Sequence, residues 1–254
     1  MDSTERQAQR IFGERAAFYS TSQSHTDPAV LAQVVALASP RPDWLALDIA
    51  TGAGHTAFAL APAVRAVVGT DLTREMLAES SRLRDERRLA NVVFSLADVH
   101  HLPFASATFH LIACRRAAHH FSDIRRALGE MRRVLRPGSR LVVDDRSVPE
   151  DDFADQCMNE LDRYHDESHV RQYRASEWRE MLEAEGFGVE AVECFEKHRP
   201  LTAFTQDVSP ENVRKIQDVL DRLTPAQRET LRLRDVNGEP HLTHWYCLLA
   251  ATAA

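Results

Sequence analysis

The sequence predicts an α/β fold: a doubly wound, mostly parallel seven-stranded sheet with helices on both faces. Short apolar runs of strand length alternate with helical patterns from residue 44 to residue 145. Within that alternation, Asp48-Ile49-Ala50-Thr51-Gly52-Ala53-Gly54-His55-Thr56 reads as strand, glycine-rich turn and helix start, and the next apolar run ends in Asp71. An open sheet builds a site for a nucleoside-containing ligand in this order, at the carboxyl edge of its strands. The size agrees, since 254 residues with 44% hydrophobic content can bury one sizeable core.

Ahead of the sheet, residues 11–25 read as an amphipathic helix running into a polar loop. Trp44-Leu45-Ala46-Leu47-Asp48-Ile49 is the first strand, apolar enough to be buried on both faces. Gly52 and Gly54 lack a Cβ, so the chain there can turn tightly and approach a ligand closely, and Ala57, Phe58, Leu60 and Ala61 continue as a helix. Residues 64–70 form a second strand ending in Asp71, whose carboxylate can accept from both hydroxyls of a ribose lying across the strand ends. A third strand, 91–97, ends in Asp98, and a fourth spans 107–114. Residues 122–135 form a helix with Ile124, Leu128, Met131 and Leu135 on one face, stopped by Pro137-Gly138. Leu141-Val142-Val143 is the fifth strand and ends in Asp144 and Asp145. Ser176 is the expected N-cap of a helix over 177–185 that stops at Gly186, and Val189, Ala191 and Phe195 alternate in a sixth strand. Ser209-Pro210-Glu211 and Thr224-Pro225-Ala226-Gln227 open two inserted helices, the second with a capping box. Asn237-Gly238 marks a turn, and 242–250 is the last strand.

The glycine turn by itself leaves two ligands open. Gly52-Ala53-Gly54-His55-Thr56-Ala57 satisfies the G-x-G-x-x-G/A dinucleotide pattern. A dinucleotide sets a pyrophosphate dianion at the helix N-terminus, where a nearby acid is costly. Asp48 stands in the strand just ahead of the glycines. S-adenosylmethionine (SAM) has no phosphate and carries a sulfonium and an α-ammonium, both cations. The acids favour SAM, with Asp71 toward the ribose and Asp98 toward the adenine 6-amino group.

Five ordered motifs now stand together: 48–54 with Asp71, Leu96-Ala97-Asp98, Leu102-Pro103-Phe104, Phe109-His110-Leu111-Ile112 and Val134-Leu135-Arg136-Pro137-Gly138. They resemble the motifs of class I SAM-dependent methyltransferases, most closely the type 11 group that includes the ubiquinone/menaquinone C-methyltransferases. The resemblance covers roughly residues 10–200. It implies one Rossmann-like methyltransferase domain over 1–254, with a helical lid in 1–40, a cofactor-binding core in 41–147 and substrate-side elements and final strands in 148–254. It implies SAM as cofactor, held by Asp48, Ala50, Gly52, Ala53, Gly54, Asp71, Leu72, Met76, Ala97, Asp98, Val99 and Arg115. One position departs: Ala50 stands at the family's first glycine, which alanine tolerates where φ is negative.

Methyl transfer from a sulfonium is an in-line displacement, so holding acceptor and methyl group close and aligned supplies most of the acceleration. A base is required only for an acceptor such as a phenol, enol, carbon acid or protonated amine. His119 and His120 follow the fourth strand at the carboxyl edge, and one of them, His120 first, is the candidate base or acceptor-positioning group. The plainer reading is a capping or packing histidine. Tyr19 is expected beside the methyl group through the lid, and His25 as a polar lid contact. Arg115 can hold an acidic acceptor or the cofactor carboxylate. Asp144 is a further candidate base, and His165 and His169 are candidate substrate contacts. The acceptor pocket is expected beneath the lid and the inserted helices.

A net charge of −7 argues against nucleic acid as a partner, and the acceptor expected of such a methyltransferase is a small molecule. The longest apolar runs are too short to span a membrane, and residues 1–10 lack the apolar core of a signal peptide. The four cysteines, at 114, 157, 194 and 247, have neither paired nor zinc-like spacing. They read as reduced thiols in a cytoplasmic protein, and no metal is expected. Two other functions keep the same fold: an NAD-type oxidoreductase, and a non-catalytic SAM-binding regulatory or assembly protein.

Overall fold

The computed structural model describes residues 3–254; Met1 and Asp2, at the start of the expected lid, lie outside the described residues. Four helices come first: α1 (Ser3–Glu14), α2 (Ala16–Thr21), α3 (Gln23–Thr26) and α4 (Pro28–Ala38). The alternating unit follows as β1 (Leu45–Ile49), α5 (His55–Leu60), β2 (Ala66–Asp71), α6 (Arg74–Glu86), β3 (Val92–Leu96), β4 (Phe109–Arg115), α7 (Ile124–Val134) and β5 (Leu135–Val148). The last part holds α8 (Asp152–His165), β6 (Tyr173–Arg174), α9 (Ala175–Ala184), β7 (Phe187–Pro200), α10 (Leu201–Phe204), α11 (Pro210–Asp221), α12 (Pro225–Thr230), β8 (Arg234–Val236) and β9 (Glu239–Ala253).

The sheet runs β3-β2-β1-β4-β5-β9-β7, with the two short strands β6 and β8 attached to β5 and β9. The first five strands on that path are parallel; β9 is antiparallel to both β5 and β7. Strand order reverses between β1 and β4, and at such a switch point the chains diverge and leave a crevice at the carboxyl edge. β9 lies between β5 and β7, so the last strand of the chain is central rather than marginal. That position explains its near-continuous burial from Leu242 to Ala251.

The helices form where their caps and apolar faces dictate. Asp123 accepts from the backbone N–H of Arg126 to start α7, which buries Ile124, Ala127, Leu128, Met131 and Val134 on one side. Leu135 does not close this helix as its spacing suggests; it opens β5 and pairs with Phe109. Ser176 is not the cap of α9. Arg174 is, its backbone N–H bonded to the Glu177 carboxylate, while Ser176 donates to Glu150 from inside the first turn. Ser209 and Thr224 cap α11 and α12 as expected, and Asn237 and Gly238, both with positive φ, turn the β8–β9 hairpin. The N-terminal stretch is three helices rather than one, broken at Arg15 and Ser22.

Apolar side chains fill both faces of the sheet, around Leu128, Trp178 and Leu249 on one side and Phe58, Leu111 and Leu248 on the other. A third cluster joins α8, α10 and α11 to the end of β9 through Met158, Phe204, Ile216 and Trp245. The expectation of four free thiols is corrected here. Cys194 on β7 and Cys247 on β9 are register partners with Cα atoms 4.3 Å apart and form a disulfide; Cys114 and Cys157 are free and buried. Their separation of 53 residues hides a pairing that the register creates. No helix among the described residues is long and apolar enough to cross a membrane.

Candidate active site

The glycine turn is held from beneath. Asp48 is 1% exposed and accepts from the Thr51 hydroxyl at 2.5 Å and the Ala57 N–H at 3.0 Å, pinning the turn to the first turn of α5. Burial pushes its carboxyl up to about 7 in spite of these donors. Three residues of the turn have positive φ: Ala50 at +51°, Gly52 at +52° and Gly54 at +91°. The expectation of a negative φ at Ala50 therefore fails, and an alanine occupies a left-handed conformation. The two glycines are required for different reasons. A Cβ on Gly54 would stand 2.6 Å from the Phe58 ring, whereas on Gly52 it would meet nothing within 4 Å. Gly54 serves packing, and Gly52 leaves a bare backbone facing the crevice.

Above the turn a cavity lies between the carboxyl edge of β1, β2 and β4 and the lid helices α1–α3. All of the expected cofactor residues except Asp48 and Gly54 line it. Asp71 accepts from the Gly52 N–H through Oδ2 and the Thr73 N–H through Oδ1, both at 2.9 Å, which fixes both oxygens while leaving each a lone pair. Burial raises its carboxyl. Asp98 accepts from the backbone N–H of His100 at 2.9 Å and from its ring at 2.7 Å. Glu5 joins these two, and the three form the one cluster among the described residues with the makings of a cation site. Arg115 is 9% exposed and donates to the Thr56 hydroxyl and the His25 carbonyl, yet its Nη1 is buried without a partner.

A second cavity adjoins the first, between the lid, the ends of β5, β7 and β9, and α8. Phe12, Tyr19, His25, Arg116 and His120 line both and form the boundary.

A methyltransferase-domain family model matches residues 47–143. The uncharacterized methyltransferase YcgJ of Bacillus subtilis is 39% identical over 173 residues, 68% of each chain. The chain belongs to the class I methyltransferase family. The crystal structure of YcgJ superposes with a TM-score of 0.83 at 32% identity, over 88% of this chain and 97% of that one. A putative methyltransferase from Bacillus halodurans gives 0.84 at 30% identity, over 87% and 97%. A demethylmenaquinone methyltransferase of Thermus thermophilus is 43% identical, over 38% of this chain and 44% of that protein.

In this methyltransferase the candidate catalytic groups gather at the boundary. The Nδ1 of His120 lies 3.1 Å from both the carbonyl and the hydroxyl of Ser168; the carbonyl can only accept and the hydroxyl donates to Asp166, so a neutral ring here holds its proton on Nδ1 and leaves Nε2 as the acceptor. Tyr19 packs edge-on against Phe12 and His25, and burial raises its phenol, which stays neutral. His25 is no exposed lid residue: burial and then Arg115 and Arg116 lower it to about 3. His119 lines only the second cavity, its Nδ1 bonded to Asp145 at 2.5 Å, and burial holds it neutral. His165 and His169 line the second cavity too, bonded to the Phe204 carbonyl and to Asn159. Asp144 accepts from the Nε of Arg116 through Oδ2 at 3.0 Å and keeps a buried Oδ1 without a partner. Its neighbour Asp145, which no local spacing singles out, is pushed by burial up to about 6. The two adjacent acids point to opposite faces of β5, and only one face meets the histidine pair.

Proposed function

We propose that this methyltransferase uses SAM in the first cavity to methylate carbon or oxygen of a small molecule held in the second. The observation that carries this reading is the buried, unpartnered Nη1 of Arg115 in the same cavity as Asp71. A buried guanidinium with an unused donor favours an anionic partner, and a carboxylate supplies one. Arg115 would hold the α-carboxylate of SAM, Asp71 the ribose hydroxyls and Asp98 the adenine amino group, with Gly52 and Ala53 close beneath. Asp48 would act through the turn it braces rather than by contact. When bound, SAM supplies an electrophilic methyl group on a cationic sulfonium, which an acceptor atom displaces in line.

The chain's own residues then position the acceptor and manage its proton. The free Nε2 of His120 faces the boundary and can take a proton from a phenol, enol or carbon acid. Its Ser168 bond fixes the ring, and the Phe12 ring, 4.9 Å away, closes the other side. Neutral Tyr19 can donate a hydrogen bond across the boundary, and the lid excludes water. The relatives named as demethylmenaquinone methyltransferases are similar over 100 residues, 38% of this chain, so they support the donor chemistry and leave the acceptor open.

Incubation with SAM and fractionated small-molecule extracts, followed by quantitation of S-adenosylhomocysteine (SAH), tests the reading. At least one fraction should drive SAH formation, and His120→Ala should lower kcat with it by roughly tenfold to a thousandfold. SAM binding with no turnover on any fraction would favour a non-catalytic SAM-binding protein.

A further inference from the structure

We propose that the inner wall of the second cavity is an anion subsite, in which Arg199, assisted by Arg116, holds a carboxylate or phosphate group of the methyl acceptor. The inference rests on the methyltransferase reading and adds the charge of the substrate.

The register of the sheet assembles the wall. Arg199 pairs with Leu242 across β7 and β9, Phe195 pairs with Tyr246, and Tyr246 pairs with Arg146 across β9 and β5. Directly paired residues share a face, and so do residues two or four apart on one strand. Arg199, Phe195, Tyr246 and Arg146 therefore stand on one side of the sheet, and Arg199, Tyr246 and Arg146 line the cavity there. Arg116 enters from the end of β4, its guanidinium 3.8 Å from the centre of the Tyr246 ring. Its backbone is left-handed, at φ +54°, and is kept so by a bond from its N–H to the Asp144 carbonyl at 2.7 Å and by the Nε bond to the same residue's carboxylate. The fold holds this side chain against strain.

Each inner carboxylate of the wall already holds a partner, although the Oδ1 atoms of Asp144 and Asp162 are buried without a hydrogen bond. Asp144 pairs with Arg116, Asp162 pairs with Arg146 at 2.8 Å and also accepts from Gln172, and Asp166 accepts from the backbone and hydroxyl of Ser168. Glu14 and Asp207 are exposed at the mouth. The Arg199 side chain makes no hydrogen bond or ion pair with any described residue. Arg146, though paired, keeps a buried Nε without a partner. Arg199 and the Arg146 Nε are thus the uncommitted cationic donors of this wall, and guanidinium donors bind carboxylate or phosphate oxygens in preference to neutral amides. The field agrees: burial would raise the Tyr246 phenol, but Arg116, Arg146 and Arg199 pull it below its ordinary value. Opposite the wall stand Phe12, Phe18 and Tyr19 of the lid, which suits an acceptor with an apolar body and an anionic end.

Calorimetric titration of the SAH-loaded protein with benzoate, phenyl phosphate and the neutral benzamide tests this. The wild type should bind at least one of the two anions roughly tenfold or more tighter than benzamide. Arg199→Gln should abolish that preference without changing SAH affinity, and Arg199→Lys should keep part of it. A preference for phenyl phosphate over benzoate assigns the subsite to phosphate, and the reverse assigns it to carboxylate. Equal binding of anions and amide by the wild type, binding of none, or a preference that survives in Arg199→Gln would overturn the subsite. Failure of SAH to bind would instead contradict the cofactor reading, and the anion comparison would still be readable on the unliganded protein.

Discussion

Ala50 holds a backbone conformation, φ +51°, that costs an L-residue with a Cβ about 1–2 kcal/mol. The turn tolerates it because Thr51 is tied to the Thr70 carbonyl at 2.8 Å and to Asp48 on the other side. Ala50→Gly should relieve the strain, offset in part by the greater freedom of glycine in the unfolded chain, for a net gain of about 1 kcal/mol. Thermal melting should then rise by about 2–4 °C; a lower melting temperature would mean that alanine packs better here than its backbone suffers. Asp48 gives a pH signature of defined sign. Its folded carboxyl keeps a proton up to about pH 7, while the unfolded chain releases it near pH 4. Between those values the folded state binds more protons, so this group's contribution to stability falls as pH rises. Asp48→Asn removes that slope, and relative to the wild type it should gain roughly 1–4 kcal/mol between pH 4 and pH 7. Denaturant titrations at several pH values check this, and parallel curves for the two proteins would refute it.

The lid shows how an element is set by polar contacts that its own pattern does not announce. In α1 only Ala8 and Ile11 are fully buried, so its apolar stripe is too narrow to mark its start in the sequence. Its place is fixed by Gln9 donating to the Leu72 carbonyl and by Ser122 donating to Glu5. The carbonyls of Tyr19 and His25, at the ends of α2 and α3, are held by His55 and Arg115. Most of α1 to α3 is partly exposed, and elements with little buried apolar surface open at low free energy. Hydrogen exchange in α1 and α2 should therefore be fast in the free protein. At SAH concentrations near 100 times Kd it should slow by up to roughly a hundredfold, if opening releases the ligand. Exchange unaffected by SAH would mean that the lid does not close on the cofactor. The starts of the inserted helices α11 and α12, by contrast, are readable to the residue, because Ser209-Pro210 and Thr224-Pro225 are local signals that depend on nothing distant.

Across the whole molecule, what the sequence revealed is what its local chemistry determines. The alternation of strands and helices, the glycine turn, Asp71 and Asp98 are contiguous features, and the cavity beneath the lid gathers nearly all of the cofactor residues inferred from them. The acceptor side depends on register instead. The insertion of β9 between β5 and β7 brings Arg199, Tyr246 and Arg146 together and joins Cys194 to Cys247, pairings with no trace in local spacing. Asp48 misleads in another way, since an acid beside the turn looks like a ligand contact and serves as the turn's internal acceptor. The central claim remains that the first cavity binds SAM through Asp71 and Arg115. Calorimetric titration of SAH into the wild type and Asp71→Ala measures it most directly, with NADH as the competing ligand. SAH should bind the wild type, NADH should not, and Asp71→Ala should lose on the order of 1–3 kcal/mol of SAH affinity. Unchanged SAH affinity in the variant, or binding of NADH in place of SAH, would contradict it.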